Sequence, residues 1–159
     1  MTRRSIASLL LLAPAATLAG VGKHGVRYLG GVWEGVREGA EGKVRLEDEA
    51  AVFVFEGRQF RLPYSSITSL EYGQKVGRRI GATIGWGVTT LGVAALPMLL
   101  SKKHRHFATI GYTDAQGRPQ GLVVEFGREI NRSAMKVLSL KSGKEIEFEN
   151  QKARDEFYH

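Results

Sequence analysis

Four histidines, His24, His104, His106 and His159, are the side chains best suited to hold a metal or move protons in a chain with no cysteine. His104-x-His106 has a spacing that could ligate a metal. It lies beside the cations Lys102, Lys103 and Arg105, which disfavour a divalent cation, so it reads as a solvated basic flank. Ser65-Ser66 offers hydroxyls, but no Gly-x-Ser-x-Gly elbow and no oriented Asp–His pair accompanies them, so they read as turn residues. Two carboxylate groups stand out: Glu47, Asp48 and Glu49, and the alternating Glu145, Glu147 and Glu149. The first set falls in a turn and the second on the solvent side of a strand. Glycoside-type chemistry needs two carboxyls in one cleft, which neither set implies. Gly77 and Gly81 imitate a phosphate loop, but no Gly-Lys-Ser/Thr comes after them. No catalytic residue, metal or cofactor is therefore assigned. The lack of cysteine also removes disulfides, thiolate sites and a lipoprotein anchor, and it agrees with an oxidising compartment.

The elements that would position any site belong to a chain of 159 residues, 43% apolar and 25% charged. Those figures fit one folded domain with appendages and exclude wholesale disorder. The net charge of +7 is local. Residues 1–19 carry +2, residues 20–72 carry −1, residues 73–106 carry +6 with no acid, and residues 107–159 are balanced. Binding to nucleic acid would want aromatic platforms among those cations, and the only aromatic in 73–106 is Trp86. Nucleic acid is therefore not an expected partner.

Residues 1–19 have the plan of a signal peptide: Arg3-Arg4, an apolar stretch from Ser5 to Leu18 with four consecutive leucines, Leu9 to Leu12, and the small-x-small triplet Thr17-Leu18-Ala19 before Gly20. The apolar run is short for a bilayer span of ~20 residues. Whether cleaved or kept as an N-terminal anchor, it directs the rest of the chain to export, which places the protein in the periplasm or at a membrane.

The unusual segment is 73–106. Ile80 to Leu100 is 21 residues without charge, with Arg78-Arg79 before it and Lys102-Lys103-His104-Arg105-His106 after it. That length matches a membrane helix. Gly77, Gly81 and Gly85 fall on one helical face, where backbones can approach, as in self-association. Gly87, Gly92 and Pro97 weaken the second half as a helix. A single crossing would part residues 20–79 from 102–159, so strands on either side could not share a sheet. A hairpin turning near Val88 to Gly92 keeps both basic flanks on one side, against anionic lipid. Its arms of roughly ten residues would be too short to cross ~30 Å as helices. The expected membrane-binding residues are Arg78, Arg79, Ile84, Trp86, Leu99, Leu100, Lys102, Lys103 and Arg105. The alternatives are a helix buried in a soluble core and a true single span between two subdomains.

The rest of the sequence is β-rich. Residues 20–42 hold eight glycines and read as a linker or a first strand, with Val26, Tyr28, Val32 and Trp33 interrupted at Gly30-Gly31. Val44–Leu46, Ala51–Phe55, Gln59–Leu62 and Ile67–Tyr72 have strand patterns, with a hairpin turn at Glu56-Gly57-Arg58. Phe107–Tyr112 and Leu122–Phe126 flank a strong turn at Asp114–Pro119. The period then changes: Ile130, Ala134, Val137 and Leu138, with Leu140 at the margin, predict a helix over 128–141 that stops at Gly143 and is capped by Asn131 or Ser133. Glu145–Glu149 alternates as a last strand, and 150–159 is a polar tail, frayed or briefly helical.

The expected fold is thus mainly β with a C-terminal helix, in the α+β class. Antiparallel strands closed late by one helix, together with Phe60-Arg61-Leu62-Pro63-Tyr64-Ser65-Ser66-Ile67-Thr68-Ser69-Leu70-Glu71-Tyr72, resemble the bacterial pleckstrin-homology-like (GRAM-like) small β-barrels. The resemblance covers about 43–72 and 107–149. It implies an antiparallel barrel interrupted by the apolar helical hairpin. It also implies a binding or scaffold module rather than an enzyme. The function expected is an exported, membrane-associated, non-enzymatic module whose partner is the lipid surface. A soluble oligomeric scaffold, with a second copy of the chain as partner, is the alternative.

Overall fold

The computed structural model describes residues 25–73 and 107–159. The chain order begins with β1 (Val26–Gly31), β2 (Glu41–Leu46), β3 (Ala50–Phe55) and β4 (Arg58–Pro63). A 3-10 turn over Tyr64–Ser66 leads into β5 (Ile67–Gly73). Then come β6 (Phe107–Thr113), β7 (Pro119–Phe126), α1 (Asn131–Ser142), β8 (Ile146–Phe148) and α2 (Gln151–Tyr158). The eight strands form one mixed sheet in the order β4-β3-β2-β1-β7-β6-β5-β8. Every pairing is antiparallel except β5 with β8. The order has two ends, β4 and β8, so hydrogen bonding does not close it into a ring. The fold is mainly β with a C-terminal helix.

Local chemistry explains the joins. Glu56 (φ 48°) and Gly57 (φ 78°) are both left-handed, the requirement of a two-residue type I′ hairpin, and they join β3 to β4 with Phe55 opposite Arg58. Pro63 has no N–H for a ladder, and the chain bends there into the 3-10 turn. In β1, Leu29 and Gly30 together oppose Val123 as a bulge in the pairing with β7, while Val26 and Arg27 pair with β2 on the other side. Residues 26–31 are therefore an interior strand of the sheet.

The core lies on one side. Tyr28, Phe53, Phe55, Leu70, Ile110, Leu122, Val124 and Phe126 project there and are buried. Phe53 and Phe55, alternate residues of β3, point inward while Val52 and Val54 point away. Helix α1 closes this side with Ala134, Met135 and Leu138. Leu140, at the margin of the stripe that the periodicity predicts to be buried, is 84% exposed. At 100° per residue it lies about 200° round from Leu138, and Met135 fills the stripe instead. The expected caps also differ. Neither Asn131 nor Ser133 caps through its side chain: Ile130 is the N-cap residue, Ser133 Oγ donates to the Ile130 carbonyl, and Asn131 Nδ2 donates to the Tyr72 hydroxyl at 2.7 Å. Gly143 (φ 70°) ends the helix in the left-handed conformation that glycine adopts without strain.

The C-terminal tail is also structured. Asn150 caps α2 by accepting from the Ala153 N–H. The helix buries Phe157 edge-on against Tyr72, with centroids 4.9 Å apart.

Candidate functional site

The decisive geometry for the unusual segment is where it leaves and re-enters the sheet. Gly73, the last residue of β5, is the register partner of Phe107, the first of β6. Paired residues on antiparallel strands have Cα atoms about 4.5–5.5 Å apart. Residues 74–106 therefore depart from and return to one spot at the end of a single sheet. A single crossing of a bilayer core ~30 Å thick is incompatible with that pairing. Among the described residues no helix is long and apolar enough to cross a membrane. The residues expected to bind membrane (Arg78, Arg79, Ile84, Trp86, Leu99, Leu100, Lys102, Lys103, Arg105) lie outside the described residues. So do the expected self-association glycines Gly77, Gly81 and Gly85, the signal-like residues 1–19, and His24, His104 and His106.

The sheet beside that exit has a second apolar side. Register places Leu29 (with the bulge), Val123, Thr109, Glu71 and Glu147 in one row across β1, β7, β6, β5 and β8. The neighbouring row is Arg27, Glu125, Phe107 and Gly73, with the Glu149 side chain lying over Gly73. Both rows face away from the core, because their strand neighbours Tyr28, Val124, Ala108, Tyr72 and Leu70 belong to it. Yet Leu29, Val123, Phe107 and Thr109 are only 1–3% exposed. Arg27 bridges Glu41 at 2.6 Å and Glu125 at 3.2 Å, and the side chains of Arg27 and Glu125 are each 13% exposed. The uninterrupted run Leu122-Val123-Val124 carries the signal for burial on both sides, the mark of a strand covered twice.

Grooves also indent the surface of the described residues. One, about 660 Å³, is lined by Trp33, Glu34, Tyr112, Asp114, Arg118 and Gln120. Trp33 stacks flat on Phe60, with centroids 4.6 Å apart and planes at 6°, and against Tyr28 at 6.0 Å. Asp114 is the keystone of the β6–β7 turn. It accepts from the Gln116 and Arg118 backbone N–H groups at 2.9 Å, from Arg118 Nε at 2.9 Å and from Gln120 Nε2 at 3.0 Å. Desolvation pushes this carboxyl up, but the four hydrogen bonds outweigh it and hold the pKa down at about 2. Another groove, about 560 Å³, runs along β8 and α2 past Ser139, Glu145, Phe148, Arg154 and Tyr158.

Four tyrosines and Glu56 ionise further from neutrality than usual. Burial pushes the hydroxyls of Tyr28 and Tyr72 up to about 12, and also raises Tyr112 and Tyr64. The Arg37 guanidinium, bonded at 2.6 Å and 2.8 Å, lowers the pKa of Glu56. General acid–base chemistry uses shifts toward neutrality, and each of these runs the other way. Ser66 donates to the Pro63 carbonyl at 2.7 Å, and Glu47 receives Arg61 at 2.8 Å, so both serve the turns they sit in. Among the described residues no group of three His, Asp or Glu side chains is placed to hold a metal. No protein-family model and no curated protein matches the chain.

Proposed function

We propose that this chain is an exported, non-enzymatic binding or scaffold module that attaches to a membrane through its uncharged, basic-flanked segment. The observation that carries the reading is the pairing of Gly73 with Phe107. Residues 74–106 thereby leave and return at one place in the sheet, and they carry six cations, Lys75, Arg78, Arg79, Lys102, Lys103 and Arg105, with no acid. Such a cluster is attracted to anionic lipid at roughly 1 kcal/mol per cation near the surface. The apolar residues between, Trp86 and the leucines foremost, supply insertion. The apolar helical hairpin belongs to this proposal, as does the signal peptide.

The pleckstrin-homology-like resemblance belongs to it too, with an open sheet where the expected barrel would close. Its support is the antiparallel run from β1 to β7 and the seat of α1 against Tyr64–Ser66, where β4 gives way to β5. Lys141 from α1 reaches the Asp48 carbonyl at 2.8 Å and lies over the Tyr64 ring at 5.5 Å, tying the helix across the early strands.

Flotation with lipid vesicles tests the reading. The full chain is expected to float with vesicles rich in anionic lipid. Replacing Arg78, Arg79, Lys102 and Lys103 by Gln is expected to weaken binding by roughly 1 kcal/mol for each cation removed. Equal flotation of the variant and the parent chain on neutral and anionic vesicles would contradict the electrostatic part. A soluble oligomeric scaffold, with the glycine-rich segment as a buried or self-association helix, is the second reading. The observation that favours it is the covered outer side of the sheet. Deleting 78–103 separates the two: a stable, monodisperse remainder supports an external device, and loss of folding supports a core element.

A further inference from the structure

We infer that the outer side of β1, β7, β6, β5 and β8 is an intramolecular docking surface, and that its occupant is the chain's own segment 78–103. Three observations converge. First, Leu29, Val123, Phe107 and Thr109 form a contiguous patch facing away from the core, at 1–3% exposure, while α1 contributes Ala134, Met135 and Leu138, and α2 contributes Phe157, to the core side. A patch that dry has a cover.

Second, the only long stretch between two described strands starts and ends at the border of the patch. Phe107, where the segment returns, is itself a member, and its partner Gly73 is where the segment leaves. The 33 residues between them include the 21-residue uncharged run. Third, the charges match. Glu71 and Glu147 are direct register partners, and Glu149 lies over Gly73 next to them. Like charges directly opposite on neighbouring strands destabilise a sheet, so this border wants cations. None of Glu71, Glu125, Glu147 and Glu149 is without a partner. Residues 73–106 carry six cations and no acid.

The patch comprises four residues on three strands, too small to cover 21 apolar residues on all sides. Docking on it leaves the remaining apolar surface of the segment to meet lipid or a second copy. Docking is a property of the folded chain, so it goes beyond the membrane reading and does not depend on it.

The absence of cysteine makes the test clean. Val123→Cys is combined with single cysteines at 84, 88, 91, 95 and 99, and for comparison at 8, 11 and 15, in the full-length chain. Each pair is oxidised under dilute conditions and mapped by mass spectrometry of non-reduced peptides. Thr109→Cys with Val123→Cys, register partners in the sheet, reports that the sheet has formed. Intrachain crosslinks to a subset of the segment positions are expected. Combined replacement of Glu71 and Glu147 by Lys is expected to lower their yield roughly fivefold. Crosslinks only between chains, only to cysteines placed in residues 5–18, or absent while the control pair forms, would each overturn the assignment. Vesicle flotation reads lipid binding independently, so failure of one claim is distinguishable from failure of the other.

Discussion

Gly42 shows how tightly single positions are specified. A Cβ there would overlap the Val54 carbonyl oxygen and the Phe55 ring on the adjacent strand. Gly42→Ala is expected to destabilise the fold by about 1–3 kcal/mol, measured by urea unfolding, because backbone atoms cannot step aside. At Asp114 the sign of a pH effect comes from its bonds. Its folded pKa, about 2, lies below its ordinary 3.8, so the unfolded chain binds the proton more readily between those values. The contribution of Asp114 is fully present above about pH 4 and fades as the pH falls toward 2. The difference in melting temperature between the parent and Asp114→Asn should therefore shrink from pH 5 to pH 2. A constant difference would contradict the hydrogen-bonded turn. Such keystones are partly legible: Asp114-Ala115-Gln116-Gly117 announces a turn, but four bonds converging on one carboxylate depend on backbone geometry that no residue pattern specifies. Tyr72 likewise reads only as a strand residue. Its bond from Asn131 joins positions far apart in sequence.

At the level of elements, α2 is the clearest test of packing. Phe157 is 1% exposed and lies among Tyr72, Phe148 and Tyr158. Phe157→Ala is expected to cost about 3–5 kcal/mol in thermal or denaturant unfolding, far more than loss of a frayed tail would. The alternation of Ala51–Phe55 and the 3.6-residue period of 130–138 make β3 and α1 readable, because each buries one side against the core. The tail is less readable. Its single large apolar anchor, Phe157, has no periodic partners in the sequence, and its burial depends on β8 pairing parallel to β5. The lead segment is obscured for a different reason: its glycines are needed for a bulge and for close strand approach, and they dilute the strand pattern.

For the molecule as a whole, the localisation of charge and the sharing of one sheet by strands on both sides of the segment bear on the same point. The +7 excess is not a general basic character. Its +6 portion brackets an apolar run within a segment whose bounding residues, Gly73 and Phe107, are paired neighbours. The sequence leaves two options, a single crossing between separate subdomains or a segment that leaves and returns on one side, since strands parted by a crossing cannot share a sheet. The pairing itself requires the fold, because strand partners 34 residues apart leave no local trace. The central claim, that this segment attaches the β-rich body to a membrane, is tested most directly by sequential extraction of cells expressing the full chain. The account predicts that the protein sediments with membranes, stays there in salt near 1 M, where the Debye length is ~3 Å, and is released by detergent. Release by salt alone, or recovery in the soluble fraction from the start, would contradict it.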